Sequence, residues 1–195
     1  MSIIKPRKYQ GKVISDTEIQ WLSYRNILAV APTGAGKTFI KAFMAKKFYD
    51  KHQYVVIFAH RDVLLSQISI SLAKIGLPHK FICSDATQRE IGNLHVQEFG
   101  HSYIDEQSTV IVASVLTWVN RDISDLAQHI KCWMLDEAHH LTQDTSWHKC
   151  ILPLVNSKGL GVTATPLRAD RKPLGVVNEM RMFNKKDKYK WCIPL

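Results

Sequence analysis

The sequence lacks the features that mark a membrane-spanning, secreted or repetitive protein. Its 195 residues contain no apolar run near the roughly 18 residues that a membrane-spanning helix needs. The first ten residues have neither the apolar core nor the small-residue cleavage site of a secretory signal. Internal repeats and low-complexity segments are absent as well. We therefore expect a cytosolic globular protein that does not use a membrane.

Cysteine is scarce, and the spacing of the few that occur excludes the common redox and zinc motifs. The four cysteines are scattered, and no two of them are separated by only two residues. His139, His140, His148 and Cys150 lie close together, but their spacing fits no common set of zinc ligands. The sequence therefore predicts reduced thiols and no structural metal.

Acidic residues are outnumbered, which favours a polyanionic partner. Lys and Arg total 26 against 17 Asp and Glu, for a formal net charge of +9. Such an excess suits nucleic acid, because Lys and Arg neutralise phosphates and release counterions. Much of it lies in residues 168–172 and 184–190, however, where a solvated surface patch is the alternative.

What the sequence does contain is a repeated succession of short apolar runs and longer helical patterns. Runs without polar alternation indicate strands buried on both faces, and strands alternating with helices indicate a parallel sheet. The expected fold is therefore α/β, with one domain over residues 1–170 and a basic tail over 171–195. Predicted strands are 27–31, 54–58, 80–83, 110–113, 132–135 and 159–162, and the clearest predicted helices are 38–49, 63–75 and 147–155.

The stretch Ala-Pro-Thr-Gly-Ala-Gly-Lys-Thr at residues 31–38 follows the first predicted strand and opens a predicted helix. It matches the phosphate-loop pattern, with alanine in place of the usual first glycine. The two glycines permit backbone angles that turn N–H groups inward around phosphate oxygens, and the helix points its positive end to the same place. Lys37 would reach the β- and γ-phosphates, and Thr38 would ligate Mg²⁺. The predicted nucleotide-binding residues of the loop are Thr33, Gly34, Ala35, Gly36, Lys37 and Thr38.

Two adjacent carboxylates, Asp136 and Glu137, follow the predicted strand 132–135. Since the carboxyl ends of parallel strands meet at one edge, both should lie beside the phosphate loop. Asp136 can hold Mg²⁺ directly or through a water, and Glu137 can deprotonate the water that attacks the γ-phosphate. A kinase or small GTPase, still possible on the loop alone, does not require the adjacent glutamate. The pair therefore favours nucleotide hydrolysis over phosphoryl transfer, with Lys37, Asp136 and Glu137 as the catalytic residues.

These motifs together resemble the superfamily 2 helicases and translocases of DExH type. Residues 136–139 spell a DEAH box, and residues 161–166 resemble the Thr-Ala-Thr motif that links nucleotide state to nucleic-acid binding. Residues 58–67 and 110–117 are similar to two motifs of the nucleic-acid track. The resemblance covers most of the chain. It implies a RecA-like fold, ATP and Mg²⁺ as cofactors, and nucleic acid as partner.

The resemblance also assigns roles to single residues. Gln10 matches the upstream glutamine that reads adenine, with an ordinary helix start as the alternative. Arg61, Gln67, Ser114 and Thr117 match positions that contact a nucleic-acid backbone, although Asp62 or Ser114 could simply cap a helix. The implied coupling residues between hydrolysis and strand movement are His139, Thr163 and Thr165.

Members of this family carry two RecA-like domains, and the sequence contains motifs of only the first. We therefore expect an ATP-hydrolysing motor domain that needs a second domain or subunit for its arginine finger. A finer likeness to phage and bacterial DNA helicases of branch-migration or restriction-motor type favours DNA, and the cytoplasm of a bacterial or phage-infected cell. The alternative is a lone ATP-sensing module that binds nucleic acid or a partner without translocation.

Overall fold

A computed structural model gives the architecture of the chain. It describes residues 4–136, 138 and 146–164, together with the backbone of 190–192. Among these residues, no helix combines the length and the apolar character needed to cross a membrane. Three predicted site residues, Glu137, His139 and Thr165, lie outside the described residues.

The described strands form a single sheet of mixed direction, parallel except at one edge. Six parallel strands lie in the order β3-β4-β2-β5-β6-β1, and β7 pairs antiparallel with β1 beyond them. The strands are β1 (Asn26–Val30), β2 (Tyr54–Ala59), β3 (Lys80–Ile82), β4 (Val110–Ser114), β5 (Ile130–Asp136), β6 (Lys158–Thr163) and β7 (Lys190–Cys192). The six predicted strands and the α/β class are confirmed. Strand β7, inside the predicted tail, was not foreseen.

Helices connect the strands and cover both faces of the sheet. They are α1 (Lys8–Gln20), α2 (Lys37–Tyr49), α3 (Asp62–Lys74), α4 (Asp85–Phe99), α5 (Val115–Val119), α6 (Ser124–His129) and α7 (Ser146–Ile151). Helices α2 and α3 match their predicted bounds within one residue. The predicted helix 147–155 is too long, because Pro153 disfavours helical backbone at the residue before it.

The central strands are buried on both faces, as their unbroken apolar runs predict. Every residue of 55–59 in β2 is fully buried. Trp133 on β5 lies in the core between the sheet and one helical layer, and Trp21 lies in the core of the opposite layer. Trp147 is buried as well. These three tryptophans are therefore core residues and are not exposed for stacking on bases.

Three cysteines lie within the described residues as buried, free thiols: Cys83, Cys132 and Cys150. Burial raises the pKa of Cys83 to about 11 and that of Cys150 to about 12. Burial also raises the pKa of Cys132. A thiol with a raised pKa carries little thiolate, so these three cysteines are poor nucleophiles.

A buried polar network joins α3, α4 and the segment before β3. The Tyr103 amide donates to His95 Nδ1 at 3.2 Å, so His95 carries its proton on Nε2 and donates to Ser69 Oγ at 2.9 Å. His79 Nδ1 donates to the Leu77 carbonyl at 3.0 Å, which leaves its Nε2 to accept from Ser69 Oγ at 2.7 Å. Each ring nitrogen thus has one partner when both histidines are neutral. We refer to Ser69, His79 and His95 as the histidine network.

Candidate nucleotide site

The phosphate loop lies between β1 and α2 at the carboxyl edge of the sheet. Gly34 and Gly36 adopt left-handed backbone angles, with φ of 79° and 69°. Only glycine takes these angles without strain. Gly36 is also the N-cap of α2, and a Cβ at this position would come within 2.7 Å of Gln10 Nε2. Sequence and geometry therefore agree on a glycine-dependent loop that opens directly into a helix N-terminus.

Helix α1 holds the phosphate loop from outside the sheet. The Tyr9 hydroxyl donates to the carbonyl of Ala35, and Gln10 Nε2 donates to the carbonyl of Gly36 at 3.3 Å. Gln10 Oε1 accepts from the amide of Arg7 at 2.8 Å. Gln10 is therefore buried against the loop, with both ends of its amide engaged by backbone. This contact ties α1 to the loop, and the role of Gln10 in reading adenine stays a prediction.

A cavity of about 560 Å³ brings the predicted phosphate and metal residues together. Gly34, Gly36, Lys37 and Thr38 line it from the loop and α2, and Asp136 lines it from the end of β5. Gln67, predicted from the resemblance to contact nucleic acid, lines the same cavity from α3. The predicted convergence of the loop with the acidic strand end is thus present in the fold.

A second cavity of about 270 Å³ lies on the other side of the phosphate loop. Its lining residues come from α1 and its approach, from the loop and from α2: Arg7, Tyr9, Val13, Ala31, Pro32, Thr33, Gly34, Ala35 and Ile40. The cavity combines apolar walls with a phenol and a guanidinium, groups that can pack against a planar ring. Two of the predicted nucleotide-binding residues, Thr33 and Ala35, line this cavity and not the larger one.

Asp136 is engaged by a residue that the sequence analysis did not select. Lys41, one turn after Lys37 in α2, places its Nζ 2.8 Å from Asp136 Oδ2. The Lys41 side chain is 0% exposed and that of Asp136 is 10% exposed. A signal for Lys41 was present in the sequence, because it occupies the buried face of α2 with Ile40, Met44 and Ala45. A lysine on an apolar face indicates a buried partner of opposite charge.

The other oxygen of Asp136 is suited to a cation. Asp136 Oδ1 is buried and has no hydrogen-bond partner among the described residues. The Thr38 hydroxyl, on the first turn of α2, belongs to the same cavity. A carboxylate oxygen and a hydroxyl are ligands that Mg²⁺ accepts. Thr38 and Asp136 therefore fit the magnesium role predicted for them.

The phosphate loop is also joined to the strand that carries the predicted coupling motif. Thr163 ends β6 and is fully buried, and its carbonyl accepts from the amide of Ala31 at 2.9 Å. Any displacement of the β6 end would therefore reach the first residue of the loop. The other predicted coupling residues, His139 and Thr165, lie outside the described residues, as does the predicted base Glu137.

The other three predicted nucleic-acid contacts, Arg61, Ser114 and Thr117, follow the carboxyl ends of β2 and β4. Arg61 is exposed at the N-terminus of α3, just after β2, and Ser114 ends β4 in register with Ala59 of β2. Thr117 is half-buried in the short helix α5 that follows. Neither Arg61 nor Ser114 makes a side-chain cap hydrogen bond. The fold thus brings Arg61 and Ser114 to neighbouring strand ends, with Thr117 one helical turn beyond.

Comparison with known proteins agrees with this geometry. Residues 3–168 match the protein family described as type III restriction enzyme, res subunit. A curated relative, the ATP-dependent DNA helicase fml1 of Schizosaccharomyces pombe, is 27% identical over 169 residues, which cover 82% of this chain and 19% of the relative.

Two solved structures share the fold. The UvsW helicase from bacteriophage T4 superposes with a TM-score of 0.63 at 20% identity, over 84% of this chain and 54% of that chain. The SWI2/SNF2 ATPase core of Sulfolobus solfataricus in complex with dsDNA gives a TM-score of 0.59 at 20% identity, over 85% of this chain and 35% of that chain. The chain thus spans about half of the UvsW chain and about a fifth of the fml1 protein. It belongs to the family described as the res subunit of type III restriction enzymes, and it shares its RecA-like fold with these helicase and ATPase structures.

Proposed function

We propose that the chain is the ATP-binding and ATP-hydrolysing motor domain of a DNA helicase or translocase. The observation that carries this proposal is the convergence of Gly34, Gly36, Lys37, Thr38 and Asp136 on one cavity at the carboxyl edge of the sheet. Family membership and the fold support it, since residues 3–168 match the family described as the res subunit of type III restriction enzymes.

The residues of the cavity divide the chemistry between them. Gly34 and Gly36 let backbone N–H groups surround phosphate oxygens, and Lys37 adds a positive charge to the terminal phosphates. Thr38 and Asp136 Oδ1 would hold Mg²⁺, which supplies positive charge to the transferring phosphoryl group. Glu137, next to Asp136 in sequence, would orient and deprotonate the attacking water, which completes a site of DEAH type.

DNA is the proposed nucleic acid. The fml1 relative is named as a DNA helicase, and the Sulfolobus ATPase core was solved with dsDNA. The net charge of +9 suits a polyanion. Arg61, Ser114 and Thr117 would contact the phosphate backbone, together with Gln67 if it reaches beyond the cavity. Contacts of this kind give affinity with little sequence preference.

A second RecA-like domain or subunit is proposed to complete the site. An arginine finger contributes roughly 10³–10⁵-fold to hydrolysis in related nucleotide hydrolases. The 195-residue polypeptide should therefore bind Mg-ATP, hydrolyse it slowly and not unwind a duplex by itself. The fine resemblance to phage and bacterial DNA motors supports a location in the cytoplasm of a bacterial or phage-infected cell.

A binding assay with a fluorescent ATP analogue tests the nucleotide site. Lys37→Ala should abolish binding, because Lys37 is the lysine of the phosphate loop and lines the cavity next to Thr38. The matched control is Lys46→Ala on the same helix, whose side chain is 46% exposed and pairs with Asp50. Unchanged affinity in Lys37→Ala would mean that the loop does not bind phosphates.

A second experiment separates the motor proposal from the alternative of an ATP-sensing module. Steady-state ATP hydrolysis and duplex unwinding would be measured on the 195-residue chain, with and without single-stranded DNA. Slow hydrolysis that DNA changes and that Glu137→Gln removes supports the motor domain. Tight ATP binding with no hydrolysis would support the sensing module, and robust unwinding by the chain alone would contradict the need for a second domain.

A further inference from the structure

The ion pair of Lys41 and Asp136 is the least expected contact near the cavity. A lysine with a fully buried side chain is rare unless it is paired, because the charged form loses its hydration. Here the partner is the carboxylate that the proposed function assigns to Mg²⁺. The contact therefore joins Lys41, a side chain with no role assigned so far, to Asp136, the proposed metal ligand.

Regular secondary structure positions both partners of this ion pair. Helix α2 places Lys41 one turn after Lys37, on the face that packs against the sheet with Ile40 and Met44. The side chain reaches across to the end of β5, where Asp136 lies. Both ends of the pair thus belong to regular elements with fixed backbones. The Lys41 side chain is 0% exposed, whereas that of Lys46 on the same helix is 46% exposed.

The two oxygens of Asp136 consequently have different environments. Oδ2 accepts the charge of Lys41 at 2.8 Å, and Oδ1 has no hydrogen-bond partner among the described residues. Lys41 therefore neutralises the carboxylate through Oδ2 and leaves Oδ1 without a hydrogen-bond partner among the described residues. A fixed positive charge beside the carboxylate opposes the approach of a divalent cation, and this repulsion is strong where water is largely excluded.

We propose that Lys41 sets the Mg²⁺ requirement of the nucleotide site by serving as the internal counter-ion of Asp136. In the nucleotide-free protein the ammonium neutralises the charge of the carboxylate, so Asp136 does not recruit Mg²⁺ by itself. The ion is held only when nucleotide phosphates add their negative charge to the cavity. Lys41 is thus a positioning residue that acts through Asp136, and this inference depends on the proposed function.

The direct test is a Mg²⁺ titration of nucleotide binding. Binding of a fluorescent ADP analogue to the 195-residue protein is followed at increasing MgCl₂ for wild type, Lys41→Met, Lys41→Arg and the control Lys46→Met. Lys41→Met should lower the Mg²⁺ concentration at half-maximal binding by roughly tenfold, because the repelling charge is removed. Lys41→Arg keeps the charge and should stay near wild type, as should Lys46→Met.

A purely structural role for Lys41 predicts a different pattern. It would lower the melting temperature of Lys41→Met without moving the Mg²⁺ midpoint, and that result would overturn the proposal. A midpoint that rises in Lys41→Met would overturn it too, since it would mean that orientation of the carboxylate outweighs repulsion. If wild type binds no nucleotide at any Mg²⁺ concentration, the proposed function itself fails.

A measurement on the unmodified protein keeps the inference testable if Lys41→Met does not fold. Calorimetric titration of MgCl₂ into nucleotide-free wild type should give no binding at millimolar concentration, and addition of the ADP analogue should produce Mg²⁺ binding. Clear Mg²⁺ binding by the nucleotide-free wild-type protein would contradict the role of Lys41 as counter-ion.

Discussion

Two clusters of buried polar side chains lie on the same side of the sheet. One is a pair of opposite charges, and the other is a hydrogen-bonded network of neutral groups. The Lys41–Asp136 pair lies at the carboxyl edge, carries two charges and leaves one carboxylate oxygen without a hydrogen-bond partner among the described residues. The histidine network lies between α3, α4 and β3 and satisfies its ring nitrogens through hydrogen bonds between neutral groups. Within the described residues, the ion pair leaves one polar atom without a hydrogen-bond partner, and the histidine network leaves none of its ring nitrogens without one.

The difference separates a functional cluster from a structural one. A closed neutral network fixes the packing of its helices and offers nothing to a ligand. A charged pair in which one oxygen lacks a hydrogen-bond partner is costly to bury, and a ligand that binds this oxygen would explain it. Stability measurements should therefore respond to both clusters, whereas nucleotide binding should respond only to the pair.

The largest expected loss of stability comes from Asp136→Ala. The substitution removes the carboxylate that lies 2.8 Å from the buried ammonium of Lys41, and removal of one partner of a buried ion pair typically costs about 3–5 kcal/mol. Urea unfolding would measure the change in the free energy of unfolding, and nucleotide binding should fall at the same time.

The matched control for this prediction is the double variant Asp136→Ala with Lys41→Met. It removes both charges and should recover most of the lost stability, because an apolar side chain replaces the buried cation. Nucleotide binding should not recover. A double variant no more stable than Asp136→Ala would show that the two side chains are not energetically coupled.

The histidine network predicts a pH dependence of stability with a definite sign. Burial lowers the pKa of His79 to about 4, with a smaller contribution from the neighbouring His95, whose own pKa burial also lowers. The unfolded chain therefore takes up the His79 proton below about pH 6.5, and the folded chain only near pH 4. Stability from His79 is full above pH 6.5 and falls by about 3 kcal/mol as the pH drops to 4.

Urea unfolding at several pH values would measure this slope. His79→Gln, which does not titrate, should flatten the slope between pH 6.5 and 4, whereas His129→Gln on the exposed face of α6 should leave it unchanged. An equal slope in wild type and His79→Gln would mean that His79 is not held neutral in the fold.

Ser69→Ala should have a smaller effect confined to stability. It leaves His79 Nε2 without its donor and His95 Nε2 without its acceptor, and an unsatisfied buried group costs about 1–3 kcal/mol. The free energy of unfolding should fall by that amount, and the affinity for the ATP analogue should stay at the wild-type value. A loss of affinity would contradict the separation of the two clusters.

The sequence predicted the parts of the fold that local patterns determine. Each of the six parallel strands contains a short, mainly apolar run, and the loop at residues 31–38 carries its own glycines and lysine. Helix α4 escaped prediction because its buried positions, Thr87, Ile91 and His95, include only one aliphatic residue. The pairing of Lys41 with Asp136 escaped because it joins α2 to β5, and only the tertiary fold brings a lysine and an aspartate of distant segments together.

The smallest expected effect belongs to Lys46→Met, which tests whether burial makes the difference between the two lysines of α2. Lys46 pairs with Asp50 at 2.9 Å, almost the distance of the Lys41 pair, but its side chain is 46% exposed. An exposed pair of this spacing contributes about 0.3–0.5 kcal/mol, since water and salt screen it. The free energy of unfolding of the variant should lie within about 0.5 kcal/mol of the wild-type value, the usual range for a substitution at an exposed site. A larger loss would show that distance, and not burial, determines the strength of these pairs, and the special role of Lys41 would lose its physical basis.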